Sequence, residues 1–432
     1  MAQEIPKRFR TRPMDRAEYL DRLICNQQIQ CVVELDGRLD EKRLARAARL
    51  VLDAEPVLGC RFVESKSLPY WERRDDLEGL KLCDVEECET AQVPARLDDF
   101  LKEPGDPRVD PLVRLKVLRA ETDTLCVKVD HVAADTGGMK DVLYLLCETY
   151  RHLISEEDYE PRPNSRGDRR LCQALKKVSL PDKVASLRHG NPPVPDWGFP
   201  FRGKGSDDWA FAVRRTTAAE FRALKESTSS LGMTINDCVL AAYYRAFFEA
   251  ARPGAGARCT IRVPIDLRRY LPGERAGAVC NLSGQLYPVL EMIPGEELEG
   301  TLGRVHDAME VLKEKAPGIG AAMVVAAFTA PGQWLTAAVY KRMVAREARA
   351  GKCDPYLSNM GVLSEDGLRF GHVVVRDAWL VSPLQWAPGF LMGVSTFNER
   401  MTVMVGYADA AANAPVVEEF LDHVTGDLGA LQ

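Results

Sequence analysis

The chain contains only six histidines, and one of them has surroundings suited to proton transfer. His131 lies in the stretch DHVAADTGG, after a strand-like alternating run and before a Gly-Gly helix start. Side chains at such a junction project from the sheet edge, where functional groups collect. Imidazole titrates near neutrality and is the natural general base there. It could take the proton from a hydroxyl or amine that attacks a thioester. The anionic tetrahedral intermediate would then need hydrogen-bond donors, and amides at a helix N-terminus can supply one. Asp135 follows four residues later. That spacing alone is not selective. His423 and Asp427 repeat it in the last amphipathic segment, where the two are one helical turn apart on a polar surface. On local pattern, a satisfied core or surface histidine remains the competing reading for His131.

Other chemistries lack their residues. The chain has no GxxxxGK[ST], no GxGxxG after a strand, no GxSxG elbow and no HExxH. Twelve cysteines include no CxxC pair and no zinc-like Cys/His spacing, so they read as small buried hydrophobes in a reducing compartment. No metal site is expected. A net charge of −6 and a pI near 5.7 argue against a nucleic-acid partner, which would call for a basic face. They leave room for a local basic patch, such as one that holds a CoA phosphate.

A length of 432 residues predicts two units rather than one core. Residues 27–35 suit a strand, and Asp40 caps a helix with Leu44, Ala48, Val51 and Leu52 on its apolar face. Glu55-Pro56 ends that helix, and 57–63 return as a strand. Residues 64–110 read as irregular with short helices. Residues 111–119 and 124–130 alternate as half-buried strands, and 139–153 show helical periodicity. The stretch 155–208, rich in charge, Pro and Gly, reads as a connection between lobes. Beyond it come a strand at 209–214, helices at 218–231 and 234–250, and a strand from Cys259 to Ile265. Four strand-like runs then precede a final helix at 415–430. Both units mix helices with strands, which makes the fold class α/β. The expected domains are 1–154, which carries His131, the connection 155–208, and 209–432.

Between Lys315 and Lys341 no residue is charged. Pro331-Gly332-Gln333 cuts this run, so two short buried helices are expected rather than a membrane span. The N-terminal MAQEIPKRFRTRPMD has no apolar run of the signal-peptide type, and a cytoplasmic location is the expectation.

DHVAADTGG and its flanks resemble the HxxxD acyltransferase superfamily. Its members include condensation domains of non-ribosomal peptide synthesis, alcohol O-acetyltransferases, polyketide-associated acyltransferases and wax ester synthases. The likeness runs through LARAARLVLDAEPVLGCRFV, PLVRLKVLR, TLCVKVDHVAAD, TINDCVLAAYYRAF, VPIDLRRYLP, CNLSG and YLSNMG, in that order. The resemblance implies two lobes folded like chloramphenicol acetyltransferase, a V-shaped pseudo-dimer with the site in its cleft. It implies that His131 is the catalytic base. Asp135 would turn away from substrate and pair with Arg268, both being structural. Ser358 and Asn359 would sit near the lobe crossover, either lining the site or shaping a tight turn.

Two positions depart from the superfamily's common HHxxxDG. Asp130 stands where many members carry a first histidine, and Thr136 stands for the glycine. Alternation places Asp130 on the face opposite His131, so the two are not expected to touch. Thr136 is expected to cap the following helix, which leaves Gly137 and Gly138 for close backbone approach. All four are candidates for lining the site. The expected reaction moves an acyl group from a CoA or carrier-protein thioester to a small-molecule alcohol or amine. The acyl-CoA or acyl carrier protein is a co-substrate, and no bound cofactor is expected. The alternatives are a stand-alone condensation protein that forms an amide between carrier-bound partners, and a catalytically silent binding module of the same fold.

Overall fold

The computed structural model describes residues 4–203 and 208–431. Residues 1–3, 204–207 within the expected interlobe connection, and 432 lie outside that description.

The first core forms around a five-stranded sheet in the order Val375–Val381, Gln28–Leu35, Asp123–Asp130, Val113–Arg119, Cys83–Glu87. All neighbours are antiparallel except the last pair. Helices Glu41–Ala54 and Thr136–Ser155 cover one face. The first starts because the Asp40 side chain accepts from Arg43 N at 2.8 Å, satisfying one of the free amides of the first turn. It ends before Pro56, which cannot continue a helix, and a 3-10 turn, Pro56–Gly59, leads into strand Cys60–Val63. Leu44, Ala47, Ala48 and Val51 meet Met139, Val142, Leu143 and Leu146 in one core. Each large apolar side chain so buried contributes roughly 1.5–3 kcal/mol.

The other face of the sheet differs from expectation. Alternation in 124–130 predicts a half-exposed strand, yet Cys126, Lys128 and Asp130 are all buried. Helix Val93–Lys102 lies over them, with Phe100 and Leu101 packed against Val32 and Cys126. Lys128 is accommodated because its ammonium donates to the carbonyls of Phe100 and Glu103. Burial, then the neighbouring Arg114, lowers its pKa to about 7. Residues 64–110 also hold more order than their composition suggests. Tyr70–Arg73 pairs with Arg8–Arg10 and Cys60–Val63, and Cys83–Glu87 runs parallel to Val113–Arg119.

The second core surrounds a four-stranded sheet ordered Tyr356–Val362, Leu391–Phe397, Arg400–Ala408, Trp209–Arg215. Helix Ile235–Ala251 is sunk into this core, as its nearly all-round apolar surface predicts, between helices Leu298–Lys313 and Ala410–Ala430. The strand Val375–Val381, which division by sequence assigns to the second lobe, instead pairs with Gln28–Leu35 in the first sheet. A segment from the far end of the chain therefore ties the two lobes.

The uncharged run forms helix Ile319–Phe328 and the first part of helix Gln333–Ala350, which runs on through charged residues from Lys341, and the two are bent 114° at the Pro-Gly break. The break falls where it was expected, but the burial does not match. The second helix leaves Trp334, Leu335, Val339 and Met343 exposed. Among the described residues no single helix is long and apolar enough to cross a membrane.

Candidate active site

Strand Asp123–Asp130 ends where helix Thr136–Ser155 has yet to begin, and 131–135 turn between them. The turn gives its two polar ends opposite tasks. Both border a cleft between the lobes, but the Asp135 carboxylate is buried and taken up by protein donors, whereas the His131 ring is not.

Asp135 is 2% exposed and makes every contact a buried carboxylate requires. Oδ1 accepts from Gly138 N at 2.9 Å, so Asp135, not Thr136, is the helix cap. The reason is geometric: Asp135 has extended φ/ψ, and Thr136 is already the first helical residue. Arg268 Nη1 lies 2.9 Å from Oδ1. Oδ2 takes Leu282 N at 2.6 Å and Ser283 Oγ at 2.9 Å. Burial alone would raise the carboxyl's pKa. The charge and hydrogen bonds of Arg268 outweigh it and hold the group below its ordinary value.

Arg268 arrives on the connection between paired strands Val263–Asp266 and Ser283–Leu286. The same connection supplies Cys280 O, which accepts from Arg268 Nη2 at 3.0 Å, and Asn281 Nδ2, which donates to Val132 O at 3.0 Å. The CNLSG segment thus grips the turn from the second lobe. Gly137 and Gly138 are required there. A Cβ on Gly137 would run into the Arg268 guanidinium, and one on Gly138 would lie 2.9 Å from Cys280 O.

His131 is held from its other side. Its Nδ1 is buried 3.3 Å from Glu18 Oε2, off the line of a hydrogen bond and without another partner among the described residues. Nε2 is therefore the nitrogen left to face the cleft. Glu18 stands on helix Pro13–Asp21, which starts with proline at its first position. Burial first, then repulsion by Asp135, raises the Glu18 carboxyl to about 8. Asp21, one turn further, is raised to about 7 by burial and then by Glu18, and it accepts from Tyr340 Oη. Gln27 completes this wall. Its Nε2 donates to Glu18 at 3.5 Å, while its Oε1 is buried without a partner among the described residues. Its backbone is left-handed, with φ at 51°, an uncommon state for a non-glycine residue and one often found at functional sites.

Thr136 and Ser358 line the cleft together with Tyr356, Gln285 and Gln385. Four other candidates do not line it. Asp130 turns from the cleft, as alternation predicts, and accepts from Gln28 Nε2 and Val132 N, each at 3.0 Å. Burial raises its pKa to about 7. Gly137 and Gly138 pack against Arg268 and Cys280 instead. Asn359 points out beyond the strand, where its Oδ1 accepts from Gly361 N at 3.0 Å beside a register shift. No lysine or arginine lines the cleft among the described residues.

Glu18, Asp21 and Gln27 escape a reading by motif, because they lie more than a hundred positions before His131 and carry no spacing signature. The roles of Asn281 and Ser283 were within reach, since CNLSG is a landmark of the resemblance. What its side chains grip shows only in three dimensions.

No protein-family model matches the chain, and no curated protein matches it by sequence. Solved structures do. The trichothecene 15-O-acetyltransferase of Fusarium sporotrichioides aligns with a TM-score of 0.73 at 11% identity, over 98% of this chain and 96% of that one. The first condensation domain of the CDA synthetase gives 0.70 at 15% identity, over 98% and 96%. Polyketide synthase associated protein 5 from Mycobacterium tuberculosis gives 0.65 at 14%, over 97% and 99%. The chain therefore has the α/β fold shared by condensation domains and chloramphenicol-acetyltransferase-like acyltransferases, over nearly its whole length.

Proposed function

We propose that the protein transfers an acyl group from a CoA or carrier-protein thioester to a hydroxyl or amine, with His131 as general base. The observation that carries this reading is the division of labour in the 131–135 turn. His131 lines a cleft between two lobes with Nε2 unengaged among the described residues, and Asp135, at the cleft's edge, has its carboxylate fully occupied by Arg268, Leu282 and Ser283.

In this reading the acceptor's O–H or N–H gives its proton to Nε2 as its oxygen or nitrogen attacks the thioester carbonyl carbon. The proton then passes to the departing thiolate as the tetrahedral intermediate collapses. No covalent enzyme intermediate is invoked. Nδ1 must keep its own hydrogen for Nε2 to act as base, and the Glu18 carboxyl oxygen is the acceptor nearest to it. A cleft lined by Glu18 and Asp21, whose carboxyls are raised to about 8 and about 7, and by no cationic side chain offers nothing to offset an anionic acceptor and suits a neutral one. The protein would work in the cytoplasm with soluble co-substrates and no resident cofactor.

The test is turnover of the purified protein with acyl-CoA and with carrier-tethered acyl groups, each against a panel of alcohols and amines. Acyl transfer that disappears in His131→Ala supports the assignment. Transfer that survives the substitution removes it. Activity restricted to carrier-tethered donors would place the protein with condensation rather than free-CoA chemistry.

A further inference from the structure

We propose that a pocket walled by Arg8, Arg10, Arg12, Asn164, Ser165 and Arg166 is a binding site for a phosphate group, separate from the cleft. The pocket lies at the start of helix Pro13–Asp21, and Arg169 forms part of its wall. Local sequence explains the convergence. Arg8 and Arg10 alternate with Phe9 along strand Arg8–Arg10, so both basic side chains leave the same face while Phe9 packs toward the first core. Arg12 is the helix cap, and Ser165 and Arg166 come from the interlobe connection.

The charges there are not balanced from within. Arg8 lies 3.3 Å from Glu72, and Arg169 lies 2.9 Å from Asp15. Among the described residues no carboxylate comes within ion-pair reach of the Arg10, Arg12 or Arg166 guanidinium. The acid in the wall, Glu55, is turned to other donors. It accepts from Asn164 Nδ2 at 2.8 Å and from Val279 N at 3.3 Å. Arg12 Nε and Ser165 Oγ are both buried with no hydrogen-bond partner, a costly arrangement for polar atoms. Burial first and the proximity of Arg169 second hold the Arg12 guanidinium below its ordinary pKa, against the weaker pull of Asp15 and Asp168.

The chemistry selects the ligand. Three guanidinium groups outside ion-pair distance of any carboxylate among the described residues, together with a free hydroxyl, exceed what one carboxylate can satisfy. They match a dianionic phosphate with three acceptor oxygens. The pocket also has a route to the cleft. Helix Pro13–Asp21 carries Glu18 and Asp21, and Arg169 Nη2 donates at 2.9 Å to Ala133 O inside the 131–135 turn. Two sources share this chemistry: a phosphate of a CoA-type donor, and free phosphate.

Calorimetric titration of the full chain at fixed ionic strength tests the site. The ligands are inorganic phosphate, coenzyme A, 3′-dephospho-coenzyme A and pantetheine. Saturable binding of inorganic phosphate is expected, weakened at least ~10-fold by the pair Arg12→Gln and Arg166→Gln. Arg10→Gln, on an exposed strand, gives a second reading should the double variant fail to fold. If coenzyme A binds more tightly than its dephospho form and loses that advantage in the variants, the phosphate belongs to the donor. If phosphate binding falls while coenzyme A binding does not, the site takes free phosphate. No saturable phosphate binding by the wild type, or equal binding by the variants, overturns the site. Titration requires no turnover, so the outcome is independent of whether the cleft transfers acyl groups.

Discussion

The chain carries the His-x-x-x-Asp spacing twice, and the two copies meet different fates. In helix Ala410–Ala430 the backbone turns His423 and Asp427 to the same polar face. His423 is exposed, and Asp427 takes Arg245 Nε at 2.8 Å, so both serve a helix surface. At 131–135 the backbone leaves a strand and enters a helix, and the two side chains part. One goes to a cleft beside Glu18 and the other to Arg268, Leu282 and Ser283. In the proposed reaction, the first histidine is free to act as base because its role is separated from the aspartate's. A regular helix cannot provide that separation.

The contrast is tested most severely at the two histidines. His131→Ala should lower acyl transfer by about 10²–10⁴-fold, the usual worth of a positioned general base. His423→Ala should leave the rate unchanged. Steady-state kinetics on both variants decides the matter, and equal effects would dissolve the distinction.

The aspartates come next. Asp135→Ala would strand the buried Arg268 guanidinium and two backbone donors, an effect of about 3–5 kcal/mol. The expected result is loss of soluble folded protein, read by chemical denaturation or by yield. A well-folded but slow Asp135→Ala would instead make this aspartate a participant in proton transfer.

The parts of this site visible in advance are those set by local pattern. Alternation in 124–130 and the cap before Gly137-Gly138 placed His131 at a strand-to-helix turn. The resemblance through VPIDLRRYLP supplied Arg268 as the partner of Asp135. Most of the hidden parts depend on long-range packing. Val375–Val381 looks like any other strand of the second half until Gln28–Leu35 provides its partner. Lys128 reads as a solvent-facing residue until Val93–Lys102 covers it. Glu18 belongs to a short helix whose sequence, PMDRAEYLD, announces a proline start but not a histidine beyond its end. Thr136 is a fair cap by residue type, and only the extended backbone of Asp135 shows that the cap lies one position earlier.

Glu18 sharpens the comparison because, among the described residues, no carboxylate lies within ion-pair distance of His423, which is exposed on its helix. The folded protein keeps the Glu18 proton up to about 8, whereas its ordinary value is 4.5. Between those limits the folded state binds more protons than the unfolded chain, so stability falls as pH rises through the window. Asp21 and Asp130, both raised to about 7, act in the same direction. Glu18→Gln should therefore flatten the decline and stabilise the protein near pH ~8 by about 2 kcal/mol, with little effect near pH ~4. Thermal unfolding across that range checks it. If Glu18 orients His131, the variant also loses activity in kcat more than in KM. A stability gain with unchanged kcat would reduce Glu18 to part of the cleft wall.

The smallest effect is expected at Asp427. Its pairing with Arg245 is partly exposed, with side-chain accessibilities of 29% for the arginine and 21% for the aspartate. An ion pair in that setting is worth about 0–1 kcal/mol, because solvent screens it and two side chains lose freedom to form it. Arg245 also keeps a second acceptor, Glu296 O at 2.6 Å, so Asp427→Asn leaves the guanidinium hydrogen-bonded. The unfolding midpoint should move by no more than the equivalent of about 0.5 kcal/mol. Denaturation of Asp427→Asn beside Asp135→Asn measures what the same spacing is worth in the two settings. Asparagine keeps the shape of aspartate but turns one acceptor oxygen into a donor, so the difference reports the charge and the lost acceptor together. At 427 that charge lies near solvent, while at 135 it faces a guanidinium only 4% exposed.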